Sequence, residues 1–141
     1  MERKATAEWI GTLRDGKGTI SATSNIFRDV PYTFATRFEN AAGTNPEELI
    51  AAAHAACFSM ALSGKLTAVG LTPDRVATTA TVTLAKTDAG TTVTAVHLRT
   101  NGTVPGATGV QFAAAAADAK ATCPISRLLN AAITLDATLD A

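Results

Sequence analysis

The sequence predicts an α+β fold in which an antiparallel sheet wraps on a long, buried central helix. Three features predict it. Short alternating runs open and close the chain, an apolar helix runs from Leu49 to Val69, and two Thr- and Val-rich runs follow it as a hairpin. The chain has 141 residues and no linker or low-complexity tract, so residues 1–141 are expected to form a single domain. A chain of this size buries roughly 68–70% of its unfolded surface, enough to fold alone.

The elements follow in order. Ala5 to Leu13 alternates loosely and reads as a strand, and Asp15-Gly16-Lys17-Gly18 is a turn signal. Thr19 to Thr23 and Tyr32 to Thr36 read as further strands, with Arg37 exposed at the end of the last. Asn45-Pro46-Glu47-Glu48 is a helix start: Asn45 caps, Pro46 suits the first helical position, and Glu48 closes a capping box. Gly70, Leu71 and Pro73 stop that helix. From Leu49 to Leu62 it is apolar nearly all round, which predicts burial on every side.

Arg75 to Lys86 and Thr91 to Thr100 flank Thr87-Asp88-Ala89-Gly90 and form a hairpin. Asn101 to Gly109 reads as a loop and the Ala-rich Val110 to Thr122 as a helix. Cys123-Pro124 restarts a short helix through Asn130, and Ile133 to Leu139 alternates as a closing strand.

Composition narrows the function. Twelve basic residues balance twelve acidic ones, and no polybasic run points to nucleic acid or an anionic membrane. The apolar stretch Leu49 to Leu62 is shorter than the roughly 20 residues that span a bilayer. Met1 to Leu13 has no apolar core of a signal peptide, so a cytoplasmic location is expected. Only 17% of residues are charged, which leaves apolar surface suited to a subunit interface. In a reducing compartment the two cysteines, 66 positions apart, are expected to be catalytic or redox-sensing rather than a permanent bridge.

The residues by themselves leave several readings open. Cys57, amid alanines in the long helix, is either a small core residue or a sulfur with room for an approaching reactant. Cys123 is either an idle boundary residue or a thiol whose anion the helix start favours. His54 shares a helix face with Cys57, which invites a Cys-His hydrolase dyad. Neighbours on one helix point outward side by side, however, and no third group orients the ring. A zinc site needs about four ligands, and His54, His97 and the two cysteines show no such spacing. Glu47 and Glu48 complement the helix dipole in the first turn.

Thr36-Arg37-Phe38-Glu39, Gly43 to Leu62 with its core His54-Ala55-Ala56-Cys57-Phe58-Ser59-Met60, and Cys123-Pro124-Ile125-Ser126 together resemble the OsmC/Ohr family of osmotically inducible and organic hydroperoxide resistance proteins. The resemblance extends over essentially the whole chain, and the version containing His54 is similar to the OsmC branch. Ile125 in place of the common Val is conservative.

The resemblance implies a homodimer of intertwined α+β subunits with active sites at the subunit interface. It implies a peroxidatic Cys57, a resolving Cys123, and Arg37 and Glu47 as paired charges beside them. It implies an organic hydroperoxide substrate, no bound cofactor or metal, and a dithiol reductant of the lipoyl type, in oxidative or osmotic stress defence. The chemistry suits these residue types: a thiolate attacks, a guanidinium lowers its pKa and steadies the peroxide oxygens, and a carboxylate holds the guanidinium. An apolar pocket lined by Phe38, Phe58 and Met60 is expected to favour organic hydroperoxides over hydrogen peroxide. Glu47 and Cys57 lie about 15 Å apart along one helix. Each site is therefore expected to combine Cys57 of one subunit with Glu47 of the other. The competing class is a redox-sensing or stress-induced binding protein without turnover.

Overall fold

The computed structural model describes residues 1–140 and is α+β. Two compact units arise, Met1–Leu49 and the chain from Ile50 onward.

The first unit is a meander of β1 (Ala5–Ile10), β2 (Lys17–Ala22) and β3 (Val30–Thr33), all antiparallel. Trp9, Gly18 and Tyr32 are direct neighbours across the three strands. A Cβ on Gly18 would collide with the Tyr32 ring and the Glu8 carbonyl. Without it, the Trp9 and Tyr32 rings close to 5.2 Å above the glycine.

The third strand stops earlier than its alternation predicts. Residues Phe34–Phe38 form a short helix, α1, and Arg37 lies in it rather than at a strand end. The cause is local: Thr33 Oγ1 accepts from the Thr36 N–H, and Thr36 Oγ1 accepts from the Thr33 N–H. This reciprocal cap outweighs the period-two pattern of Tyr32, Phe34 and Thr36.

Helix α2 (Pro46–Ala68) begins where Asn45-Pro46 predicts. Asn45 Oδ1 accepts from the Glu48 N–H at 2.9 Å, and Asn45 Nδ2 donates to the Thr36 carbonyl at 3.0 Å. Glu48 does not close the expected box; its carboxylate accepts from Thr44 Oγ1 at 2.8 Å.

The second unit holds most of α2, then β4 (Arg75–Thr87), β5 (Gly90–Thr103), α3 (Gly109–Thr122), α4 (Pro124–Leu128) and β6 (Ala132–Leu139). The β4–β5 hairpin is antiparallel, but β6 pairs with β5 in parallel. The sheet is therefore mixed, not antiparallel throughout. The α3–α4 segment supplies the crossover that a parallel neighbour requires. Residues Asn101 to Thr103, expected in a loop, extend β5.

Burial corrects the reading of α2. Its buried residues are His54, Phe58, Leu62 and Leu66, one stripe at four-residue spacing. The stripe meets Val96 and Leu98 of β5 and Phe112, Ala116 and Ala119 of α3 in one core. Other faces stay uncovered, and Met60 is 78% exposed. By length and composition the whole of α2 could cross a bilayer, which its apolar run alone did not suggest. Its inward stripe is nonetheless the centre of this unit's core.

Gly102 shows how closely that core is filled. A Cβ there would lie 2.6 Å from Cε2 of the buried Phe112. Gly102→Ala is therefore expected to destabilise the fold by about 1–3 kcal/mol through forced displacement of that ring. A lowered urea midpoint at constant m-value would register it; an unchanged midpoint would show that Phe112 moves freely.

Candidate active site

In the first unit, α1 and the start of α2 bring Arg37 and Glu47 together. Arg37 Nη2 lies 2.7 Å from Glu47 Oε1, and Nε donates to Oε1 and Oε2 at 3.2 and 3.1 Å. This fork fixes the plane of the guanidinium and leaves the N–H groups of Nη1 unused by Glu47. The hydrogen bonds to Glu47 hold the Arg37 pKa above its ordinary value, against a smaller opposing effect of burial. The guanidinium carbon sits 5.1 Å from the Phe38 ring centroid.

Beside Arg37 is an open groove of about 330 Å³, lined by Trp9, Leu13, Tyr32, Phe34 and Phe38. The Phe34 and Phe38 rings pack at a tilt of 45° with centroids 4.8 Å apart. Of the three residues expected to line an apolar pocket, only Phe38 does so here. Phe58 is wholly buried in the core and Met60 stands exposed on α2. The aromatic lining comes instead from β1 and β3, where Trp9 and Tyr32 face each other across Gly18.

In the second unit, α2 presents Cys57 to Cys123 at the α3–α4 junction. The sulfurs are 3.0 Å apart. Cys123 is fully buried, whereas Cys57 is partly exposed. Cys123 is anchored from both sides: its N–H donates to the Ala119 carbonyl at 2.8 Å and its carbonyl accepts from the Arg127 N–H at 3.0 Å.

The two thiols are pushed apart in acidity. Burial raises the Cys57 pKa, and the hydrogen bond with Cys123 raises it further. Burial also acts to raise Cys123. Together, however, the Cys57 thiol, the N–H groups of Ser126 and Ile125, and the Ser126 hydroxyl outweigh it and lower that pKa. In the reduced pair the Cys123 thiol donates to the Cys57 sulfur at 3.0 Å. The expected low pKa of Cys57 is not a property of its surroundings in this unit.

His54, buried one turn before Cys57, does not form a dyad with it. Its Nε2 lies 2.8 Å from Ser126 Oγ. Sequence reasoning quoted Ser126 only as part of a motif; its tie to His54, 72 residues away, has no local signature. Burial lowers the His54 pKa and keeps the ring neutral. Among the described residues no group of three His, Cys, Asp or Glu side chains converges as a metal site would need.

The structure thus pairs Arg37 with Glu47 and Cys57 with Cys123. Comparison with known proteins gives this arrangement a context. Residues 39–138 match the OsmC-like protein family, a span that holds Glu47, Cys57 and Cys123 and begins just after Arg37. The chain is 50% identical over 136 residues to peroxiredoxin OsmC of Escherichia coli K12, covering 96% of this chain and 95% of that protein. The Shigella flexneri peroxiredoxin OsmC matches equally. The organic hydroperoxide resistance protein OhrB of Bacillus subtilis superposes with a TM-score of 0.74 at 22% identity, covering 97% of this chain and 98% of the other. An OsmC-like protein of Mycoplasma pneumoniae gives 0.75 at 17% identity, covering 100% of this chain and 99% of the other, so the fold persists where little sequence does. On its sequence match and its fold, the chain belongs to the OsmC-like protein family.

Proposed function

We propose that this chain is a thiol peroxidase that reduces organic hydroperoxides to alcohols in stress defence. The observation that carries the reading is the thiol pair: one reachable sulfur and one buried sulfur 3.0 Å apart. The Cys57 thiolate attacks the terminal peroxide oxygen, the O–O bond breaks, and the alkoxide leaves and takes a proton from solvent to become the alcohol. Cys57 becomes a sulfenic acid. The Cys123 thiolate then attacks the Cys57 sulfur, water leaves, and a disulfide closes. A dithiol of the lipoyl type restores both thiols by exchange.

Arg37 supplies what the cysteine unit lacks. Held by Glu47, its free N–H groups suit the developing negative charge on the peroxide oxygens, and its charge lowers the Cys57 pKa. Glu47 and Cys57 sit ten residues apart on one helix, about 15 Å of rise, which favours joining the two pairs across a homodimer. The uncovered face of α2 suits such an interface. In that assembly Arg37 and Glu47 of one subunit complete the site at Cys57 of the other, and the aromatic groove beside Arg37 receives the organic group.

The reduced protein, supplied with dihydrolipoamide, is expected to turn over cumene hydroperoxide roughly tenfold or more faster than hydrogen peroxide, since the groove gains only from an apolar substituent. Its mass in solution is expected to be twice 14.4 kDa. Equal rates on both peroxides would remove the role of the groove. An absence of turnover with any dithiol would overturn the peroxidase.

A further inference from the structure

Two free thiols held together by a fold can take something other than a peroxide. Cys57 Sγ and Cys123 Sγ lie 3.0 Å apart, although 66 positions separate them in the chain. Cys123 is wholly buried, and its backbone is anchored at the α3–α4 junction by bonds to the Ala119 carbonyl and from the Arg127 N–H. Cys57 is partly exposed. Ala53, Ala56 and Met60, its neighbours on α2 at i−4, i−1 and i+3, are exposed beside it. One reachable sulfur is thus backed by one held in place, the layout of a chelate with a single open side.

The spacing selects among soft ions and electrophiles. Tetrahedral zinc holds two thiolates about 3.8 Å apart, given Zn–S bonds of roughly 2.3 Å, and needs further ligands. The pair here is closer, and among the described residues no third His, Cys, Asp or Glu side chain joins it. Cu(I) favours thiolates, but with only two of them it sets them in a line on opposite sides, farther apart still. Trivalent arsenic is pyramidal. Its bonds meet near right angles, so two thiolates sit close together on one side and the third bond points away from both. That geometry matches two adjacent sulfurs with one open side and asks for no other ligand.

We infer that Cys57 and Cys123 form a chelating site for trivalent arsenicals of the type R–As=O. The inference goes beyond the peroxidase reading and stands on the thiol pair alone. The arsenical meets Cys57 first: one As–S bond forms, and the oxygen takes the thiol proton to become a hydroxyl on arsenic. Cys123 then displaces that hydroxyl. A second As–S bond forms, the As–O bond breaks, and the Cys123 proton leaves with the oxygen as water. Arsenic stays trivalent and no electrons change hands, so the step needs no oxidant or reductant. The second attachment is intramolecular and uses a sulfur already in place, a gain of roughly 10²–10⁴ in affinity over a single thiol. The substituent R is left on the open side. An occupied pair has no thiol for a peroxide, so a bound arsenical silences the proposed peroxidase.

The test reads binding rather than turnover, so it stands whether or not the protein is a peroxidase. Fully reduced protein is titrated with phenylarsine oxide, the remaining free thiols are counted, and the product is identified by intact mass. One phenylarsenic group per chain is expected, with both thiols consumed. The adduct is expected to survive a roughly hundredfold excess of the monothiol 2-mercaptoethanol and to be stripped by the dithiol 2,3-dimercaptopropanol. Zinc at an equal concentration is expected to leave the arsenic in place. Cys57→Ser and Cys123→Ser are each expected to bind about a hundredfold or more weaker. Wild type oxidised with diamide is expected to bind none, a control that needs no mutation. Two arsenicals per chain, an adduct washed off by 2-mercaptoethanol, or one formed on the oxidised protein would overturn the inference. So would displacement by equal zinc, or either single-cysteine variant binding as tightly as wild type.

Discussion

Peroxide consumption is expected to vanish in Cys57→Ser, while Cys123→Ser is expected to consume one equivalent quickly, a second slowly, and then stall without turnover. The asymmetry follows from burial. Cys57 is the sulfur a hydroperoxide can reach, and Cys123 is closed off entirely. Without Cys123, the sulfenic acid on Cys57 has no thiol within 3 Å to condense with and proceeds to sulfinic acid under excess peroxide. Intact-mass measurement after one equivalent and after ten distinguishes the two oxidation levels. The experiment has a sharp alternative outcome, because the surroundings push the Cys123 pKa down and burial pushes that of Cys57 up. If Cys57→Ser kept consuming peroxide and Cys123→Ser did not, acidity would have outweighed access, and the roles of the two sulfurs would be exchanged.

Replacing Arg37 by Met is expected to slow the oxidation of Cys57 by about a hundredfold to a thousandfold, the usual loss for one preorganised donor at a developing anion. Two effects add. The thiolate fraction falls, since burial then acts on Cys57 without an opposing cation, and the peroxide oxygens lose a donor. Arg37→Lys is expected to recover little, because an ammonium cannot make the fork that the Glu47 carboxylate holds through Nε and Nη2. Stopped-flow oxidation under pseudo-first-order conditions gives the rate, and a loss under threefold would sink the role. A mixing experiment tests where Arg37 acts. Arg37→Met and Cys57→Ser chains, each inactive, are unfolded and refolded together. If a site joins two subunits, about half of the dimers are mixed and each carries one intact site of two, restoring about a quarter of wild-type activity. If each site lies within one chain, the mixture stays as inactive as its parts.

The parts of the fold legible in the sequence were those set by local chemistry. Asn45-Pro46 at a helix start, the Thr87 to Gly90 turn and the Pro124 restart each act within a few residues, and the structure places all three as expected. Local chemistry also explains the miss at Phe34–Phe38, where two threonines three apart capped each other and alternation lost. Strand direction was not legible, because period two looks the same in β6 whichever way it runs. Burial of α2 was overread for a related reason: composition shows that a helix shuns water but not who covers it. At the site, the residue identities came from motif resemblance. The tie between His54 and Ser126 and the opposite pKa shifts of the two thiols required three-dimensional placement.

The stripe on α2 carries one more consequence. The fully buried residues of α2 are His54, Phe58, Leu62 and Leu66, while others such as Met60 stand exposed and leave apolar surface on the helix. In a dimer built on that surface, subunit concentration becomes a variable of the enzyme. In the proposed dimer, dilution would expose the helix and part Arg37 from Cys57, and melting temperature and specific activity would fall together by mass action. Scarcity of the protein in a resting cell would keep its reactive thiol quiet, and accumulation would switch it on without any effector.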